Sequence, residues 1–468
     1  MEDRIKDHKS KALAINLDKQ SYGSLAEIGA GQEVASHLFK AGAASQTIAK
    51  SISAYDMTFS DAIYGKEENG RYVCEPRVLK MLDREYGLLE NRLKDIRSKD
   101  TLFFAFADTV VTINFSKTNQ GHGWIGFRFQ LRPCEPPNDV IVHVRLMEKD
   151  VNLQQQAVGI FGINLIYGCF YYYENPELLL ESLMDNLSVE RIKIDMIRFS
   201  GADFNHVDNR IMALMLVQHG FTNAALFDPN GQVKEPADIF YKKHIVVLRS
   251  RFRPCTHVNM DMFRTGVDQF KKEEGIDEKN IVEVGELTLN NLRSEGEINY
   301  KDFLDRVDIL CSLGKNVLIS NYQEYYRLVD YFSRFTKLKI GIVLGPFNLA
   351  DIFNEQYYTN LKGGILESFS ALFSRNVELF IYPTRKPETG EIYNSENFEV
   401  PEHLRHLYSY LTSNHKIKDI EGYHPELLHI YSDKVLEMIR TGKHEWEEMV
   451  PKEVKEAIIA KSLFGYKN

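Results

Sequence analysis

The sequence predicts a mixed α/β protein: an N-terminal α+β domain with a largely antiparallel sheet, then a Rossmann-like parallel α/β domain ending in C-terminal helices. Three observations carry this. HGWIGFRFQL and DVIVHVRLME alternate apolar and polar residues, the mark of half-buried antiparallel strands. Beyond residue 280, the short β-rich runs IVEVGEL, NVLISN, KIGIVLG and VELFIYP alternate with helical segments, the rhythm of βαβ units on a parallel sheet. The chain has 468 residues, 44% hydrophobic and 26% charged, so it can bury more than one full core.

Taken in order, ALAINL (12–17) reads as a short strand, and AEIGAGQEVA (26–35) as a turn into a helix. VASHLFKAGAASQTIAKSIS reads as small-residue helix, and 76–98 has apolar residues at helical spacing. TLFFAFADTVVTINF adds a third strand to the two alternating runs. The uncharged run AVGIFGINLIYGCFYYY (157–173) contains Asn164 and glycines, which predict a buried helix rather than a membrane span. A helix follows near 176–187. RIKIDMIRFSGADF is then a strand entering a glycine loop, and NHVDNRIMALMLVQHG a helix capped by Asn205 and stopped at Gly220.

HIVVLRSRF is the last strand of a first domain spanning 1–265, with the boundary in the charge-rich stretch 264–280. Residues 280–468 form the second domain. Ligands of parallel sheets bind beyond the carboxyl ends of the strands, which directs attention to Glu286, Ser320, Asn321, Gly345, Pro346 and Asn348. From about residue 388 a polar loop leads into a helical tail.

A net charge of −9 disfavours general nucleic-acid binding. The five cysteines are scattered with no CxxC pair, so neither a zinc ribbon nor a disulfide framework is expected, and no metal site is assigned. The charged start, MEDRIKDHKSK, lacks an apolar segment and predicts a cytoplasmic protein without a membrane partner.

Six stretches could carry chemistry. In AEIGAGQEVA, Glu27, Gly29, Gly31 and Gln32 fit either a nucleotide-binding turn or close helix packing. Val34 stands where the dinucleotide fingerprint wants a small residue, and Gln32 where a methyl-donor loop often has glycine. Asp56, in SAYDMTFSDAIYG, could hold a ribose or cap a helix. IVHVRL sets His143 and Arg145 on one strand face, and NQGHGWIGFRF sets His122 between glycines. In MIRFSGADFNHVDNR, Asp203 and His206 have the elements of an acid–base pair, the rest of the cluster being explicable as helix capping. In RSRFRPCTHVN, Arg251 and Arg253 could clamp phosphate beside His257, or balance the excess of acidic residues.

YGSLAEIGAGQEVA, SAYDMTFSDAIYG, QQQAVGIFGINLIYG, DMIRFSGADFNHVDNR and FRPCTHVN together resemble a bacterial cytosolic family of similar length, over the whole chain. Its members carry two names, TonB-dependent receptor and nicotinate or nicotinamide mononucleotide adenylyltransferase. The first implies a membrane barrel, which needs a long series of alternating strands that this chain lacks. The second implies a Rossmann-like domain and nucleotidyl transfer. Its HxGH and ISxTxxR motifs are absent here, so the resemblance transfers no catalytic residue.

The expected function is binding of a phosphorylated small molecule or nucleotide-like ligand, followed by nucleotidyl or group transfer. The cleft would join the Gly29–Gly31 turn, the Asp203/His206 loop and the Arg251–His257 loop. The alternative is a non-enzymatic, self-assembling scaffold. A homo-oligomer is expected, and the sequence names no cofactor.

Overall fold

The computed structural model describes residues 7–467 apart from 69, 98, 294, 295, 375, 387 and 388. The chain forms two compact units, dividing after Thr222. The division therefore falls ahead of the expected stretch 264–280. That stretch belongs to unit 2, as the end of the helix His257–Phe270 and the turn behind it. Its charges mark a solvated helix end and not a linker.

Unit 1 opens with α1 (His8–Leu17), begun by Asp7, whose carboxylate accepts from the Ser10 N–H. This cap starts a helix upstream of ALAINL, and the buried Lys11, Ala12, Ile15 and Asn16 have helical spacing, so the expected strand is helix. The strand entering the glycine turn is instead β1 (Ser21–Ile28), and α2 (Glu33–Ala41) follows it. IAKSI, read as helix among its small neighbours, is β2 (Ile48–Ile52), because it pairs in parallel with β1.

Next come α3 (Met57–Tyr64), α4 (Glu75–Leu93), β3 (Leu102–Val111), β4 (Gly121–Phe129) and β5 (Asn138–Leu146). The unit is completed by α5 (Val151–Tyr171), α6 (Pro176–Ser182), β6 (Ile192–Ser200) and α7 (Asn209–Gln218). Asp208, not Asn205, caps α7 by accepting from the Arg210 N–H. The six-stranded sheet runs β2-β1-β3-β4-β5-β6, parallel through β2, β1 and β3 and antiparallel from β3 to β6. One face packs on α4 and the other on α5, where Phe127 meets Phe170 edge-on.

The apolar run 157–173 is the buried α5, and among the described residues no helix is long and apolar enough to cross a membrane. Asn164, polar in the middle of that run, has its partners inside the fold. Asn164 donates to the carbonyls of Leu183 and Asp185 and accepts from Lys11 Nζ, which also reaches the Asp185 carboxylate at 2.7 Å. Lys11 is fully buried, so the network carries a desolvated ion pair.

Unit 2 begins with β7 (Ala224–Phe227), β8 (Val233–Lys234), α8 (Pro236–Phe240), β9 (His244–Arg249) and α9 (His257–Phe270). Then follow β10 (Ile281–Thr288), α10 (Leu289–Leu292), α11 (Tyr300–Ser312), β11 (Asn316–Ser320) and α12 (Tyr325–Ser333). The return is built by β12 (Ile340–Leu344), α13 (Pro346–Ile352), α14 (Gly364–Leu372) and β13 (Val377–Ile381). The tail holds a hairpin of β14 (Thr384–Arg385) and β15 (Ile392–Tyr393), then α15 (Arg405–Ser413), β16 (Ile417–Asp419), α16 (Ser432–Thr441) and α17 (Lys452–Lys461).

The eight strands lie in the order β16-β13-β12-β9-β10-β11-β7-β8, parallel from β16 to β11. Leaving β9, the chain steps outward to β10 and β11, then returns to the other side of β9 to lay down β12 and β13. The direction of winding reverses between β9 and β12. Both are buried along nearly their whole length, as a sheet covered on both faces requires. The tail is less purely helical than expected, since β16 joins the main sheet beside β13.

Replacing Lys11 by Met strands the Asp185 carboxylate without its ammonium partner. Unit 1 should lose about 3–5 kcal/mol, read as a lowered urea midpoint with an unchanged slope.

Candidate functional site

β9 delivers Arg249 to the carboxyl edge of the second sheet, where register places it beside Glu286 of β10. The guanidinium donates through Nε to Glu286 Oε2 at 2.8 Å and through Nη2 to Oε1 at 3.0 Å. Its Nη1 reaches the Gln323 carbonyl at 2.8 Å, and the cation lies 4.2 Å from the centre of the Tyr325 ring. Ser320, at the end of β11, donates to Glu286 Oε1 at 2.6 Å. Burial opposes the charge on Arg249, but the Glu286 carboxylate outweighs it and leaves the guanidinium pKa raised. Glu286 is fully buried, so the pair is matched inside the fold before any ligand arrives.

Two cavities open at this edge and share Arg249 and Asn348. One, of about 190 Å³, sits where the winding reverses and is lined by Arg249, Ser250, Gly345, Asn348, Tyr382 and Leu428. The other, of about 210 Å³, lies toward β10 and β11 and is lined by Arg249, Asn291, Tyr322, Tyr325, Asn348 and Asp351. Most strand-end positions singled out by sequence are therefore at or beside a cavity. Gly345, Pro346 and Asn348 line one, and Glu286 with Ser320 holds the arginine common to both.

The other arginines do not join them. Arginines two apart share a face only inside a strand, and β9 stops at Arg249. Phe252 takes a left-handed φ of 47°, turning the loop. Arg251 pairs at 3.2 Å with Asp433, both exposed, and Arg253 donates at 2.7 Å to Asp302. Neither lines either of these two cavities, and the acidic-balance alternative describes them. His257 is the first residue of α9, with its backbone N–H on the Met449 carbonyl and its imidazole pKa lowered by burial. Thr256 and Asn259 cap one another, so the amides at this helix start are mostly spent within the chain.

In unit 1, Glu27 supplies the surprise. Its two oxygens accept from the N–H groups of Val34 and Ala35 at 3.0 and 2.9 Å, so a carboxylate of the chain itself occupies the anion position at the start of α2. Gly29 is needed for packing. With φ of 101°, a Cβ there would fall 1.8 Å from the Val110 carbonyl oxygen. Gly31 takes φ of 77° to complete the turn, and the Gln32 side chain donates to the Ser51 hydroxyl. The close-packing alternative thus fits this turn. Asp56 caps α3 through the Phe59 N–H at 2.8 Å.

Asp203 and His206 are not a pair. The Asp203 carboxylate takes hydrogen bonds from Arg132 at 2.5 Å and Asn138 at 2.7 Å, while His206 stands exposed in the turn beyond. Burial raises the Asp203 pKa, but Asn138 and Arg132 more than reverse this and leave it lowered. Asp203 also lies at the wrong end of the sheet. It follows β6 where Ser200 pairs with Asp139, whereas Gly29 follows β1 at the edge shared by His122 and Arg145. The length of β5, about 25 Å, separates the two edges. The expected three-loop cleft is therefore not assembled in unit 1, and its arginine loop belongs to unit 2.

Two further features involve residues outside the candidates that the sequence offers. Asp108 lies beside Glu27 in register, fully buried, with one oxygen accepting from Ile28 and the other without a partner among the described residues. Glu177, Glu181 and His219 bring ligand atoms within 4.8 Å of one another and could hold a divalent cation. Their spacing of four on α6 is visible in sequence; the approach of His219 is tertiary.

Burial pushes the Glu27 pKa from 4.5 up to about 7, although the bonds from Ala35 and Val34 pull the other way. Asp108 is raised too, by burial and by the Glu27 charge. The folded unit thus binds more protons than the unfolded chain between these values, and the stability contributed by Glu27 falls as pH rises through that window. In Glu27→Gln this contribution should vanish. Urea midpoints of wild type and variant, compared between about pH 5 and pH 8, check the difference.

No protein-family model matches the chain, and no curated protein matches it in sequence. Among solved structures it is similar to nicotinic acid mononucleotide adenylyltransferase of Plasmodium falciparum complexed with APC, at TM-score 0.31 and 13% identity over 48% of this chain and 98% of that one. A putative nicotinate-nucleotide adenylyltransferase of Vibrio parahaemolyticus gives 0.25 and 13% over 48% and 97%. The competence/damage-inducible protein CihA of Agrobacterium tumefaciens gives 0.25 and 16% over 36% and 97%.

Proposed function

We propose that unit 2 binds a nucleotide-like ligand in the crevice at the carboxyl ends of β9 and β12. One observation carries this reading: the winding reverses there, and cavities open on both sides of Arg249. In doubly wound sheets, helices leave in opposite directions from such a point and open a crevice for ligands. Asn348, half-buried on the wall common to both cavities, is the side chain placed to fix a ligand's orientation.

The charges favour recognition of the nucleoside part. Arg249 is spent on Glu286, and the first amides of α9 are spent on Met449 and Thr256. A phosphoryl group would gain little beyond solvent-screened contact with Arg251, which is exposed. Group transfer finds less support than binding: among the described residues neither cavity is lined by an imidazole, and His257 is outside both.

Thermal-shift measurements with adenosine, guanosine and their mono- and triphosphates test this. A nucleoside and its phosphates should stabilise unit 2 to a similar degree, and Asn348→Leu should weaken binding about tenfold. No shift with any of them would overturn the reading. A strong gain with added phosphates would restore the phosphate clamp.

A further inference from the structure

The cavity toward β10 and β11 differs in chemistry from its neighbour. Tyr322, Tyr325, Tyr357 and Tyr358 line it together with two carboxylates, Glu324 and Asp351. Its charges pair off one by one. Arg249 is answered by Glu286 through two hydrogen bonds, with its remaining nitrogen on the Gln323 carbonyl. Glu324 Oε2 lies 3.1 Å from Arg327 Nε, so that carboxylate has its own cation. Asp351 has none among the described residues, and the partial burial that raises its pKa is opposed by no neighbouring charge. One negative charge is left over on the cavity wall.

The same wall holds a buried polar atom without a partner. Tyr325, the first residue of α12, is 5% exposed, and its hydroxyl makes no hydrogen bond among the described residues. A native fold seldom leaves such a group unmatched unless something else completes it. Burial pushes its pKa up to about 12 against the pull of Arg249, so it stays a neutral phenol that can both donate and accept. The Asp351 charge acts on this hydroxyl, which sets the unanswered carboxylate and the unpaired phenol near one another. The Tyr358 hydroxyl, by contrast, donates to the Ile352 carbonyl at 2.7 Å and leaves the cavity its ring. Asp351 follows Asn348 by three residues on α13, so the two share a helix face.

We infer that this cavity receives a protonated primary amine of the ligand, with Asp351 as its counter-ion and the Tyr325 oxygen as a second acceptor. The inference rests on the unit 2 crevice being the ligand site and adds a substrate class, a nucleoside-like molecule that carries an alkylammonium group. An ammonium has three N–H donors and no acceptor, so it satisfies a carboxylate and a phenol oxygen together. The surrounding tyrosine rings present their negative faces to a cation. A phosphate or carboxylate would meet the unanswered charge of Asp351, at a wall whose arginine is already matched. A neutral hydroxyl could take the same hydrogen bonds but would leave that charge uncompensated.

Saturation-transfer NMR of the full chain with 1-aminobutane, butan-1-ol and butyltrimethylammonium tests the assignment, with adenosine titrated separately. The amine should bind about tenfold more tightly than the alcohol, which lacks the charge, and than the trimethylated cation, which keeps the charge but has no N–H. Asp351→Asn should weaken the amine about tenfold and leave the alcohol unchanged, and Tyr325→Phe should weaken the amine about threefold. No binding of the amine would overturn the inference. So would equal binding of the amine and either analogue, or an unchanged amine affinity in Asp351→Asn. Adenosine decides the underlying reading on its own. Amine binding without adenosine binding removes the nucleoside and keeps the amine pocket, whereas adenosine binding without amine binding keeps the crevice and overturns the amine. Should Tyr325→Phe not fold, Asp351→Asn, at an exposed position, decides.

Discussion

Charge taken out of water must be answered on the spot, and this single requirement organises both sheets. Arg249 is held by Glu286 in unit 2, Lys11 by Asp185 and Asn164 in unit 1, and Asp195 by Arg145 at the unit 1 edge. Leaving any one of these unmatched would cost several kcal/mol, a large part of the net stability of a domain. The answers come from strands or helices far apart in sequence, so each pair also ties the topology together.

The same requirement explains why residues that look available in the sequence are not. Glu27, Arg253 and Asp203 sit at loop junctions where a ligand could be met, yet each is consumed by a neighbour. What remains open is defined by subtraction. In the second sheet it is the space around Arg249 and Asn348, whose walls are amides, hydroxyls and rings more than formal charges.

Much of the fold is legible in the sequence because it rests on local periodicity. The antiparallel pairing of β4 and β5, the charge-free α5 and the strand–helix rhythm beyond residue 280 all reappear, although β4 and β5 are buried on both faces and not half-exposed. The failures share a cause. ALAINL is helix because of a cap outside the stretch, IAKSI is strand because β1 is beside it, and the unit boundary precedes a strand that composition assigned to the first half. Site residues fared unevenly for the same reason. That ligands meet parallel strands at their carboxyl ends is a rule about position, and Gly345 and Asn348 could be found from it. Which arginine is already paired, or which carboxylate caps a helix, depends on contacts between Arg249 and Glu286 or Glu27 and α2 that no spacing records.

The shortest strands of the second sheet are at its two margins. β8 is Val233–Lys234 and β16 is Ile417–Asp419, and each carries a lysine. Lys418 is fastened to Glu273 and Glu378, which places a fixed ionic cluster along one border. A broad parallel sheet with long bare margins would invite ladder-wise growth into fibres. Brief, charged borders deny an incoming strand both the length and the apolar surface it needs, so the margins of this sheet are poor templates for such growth.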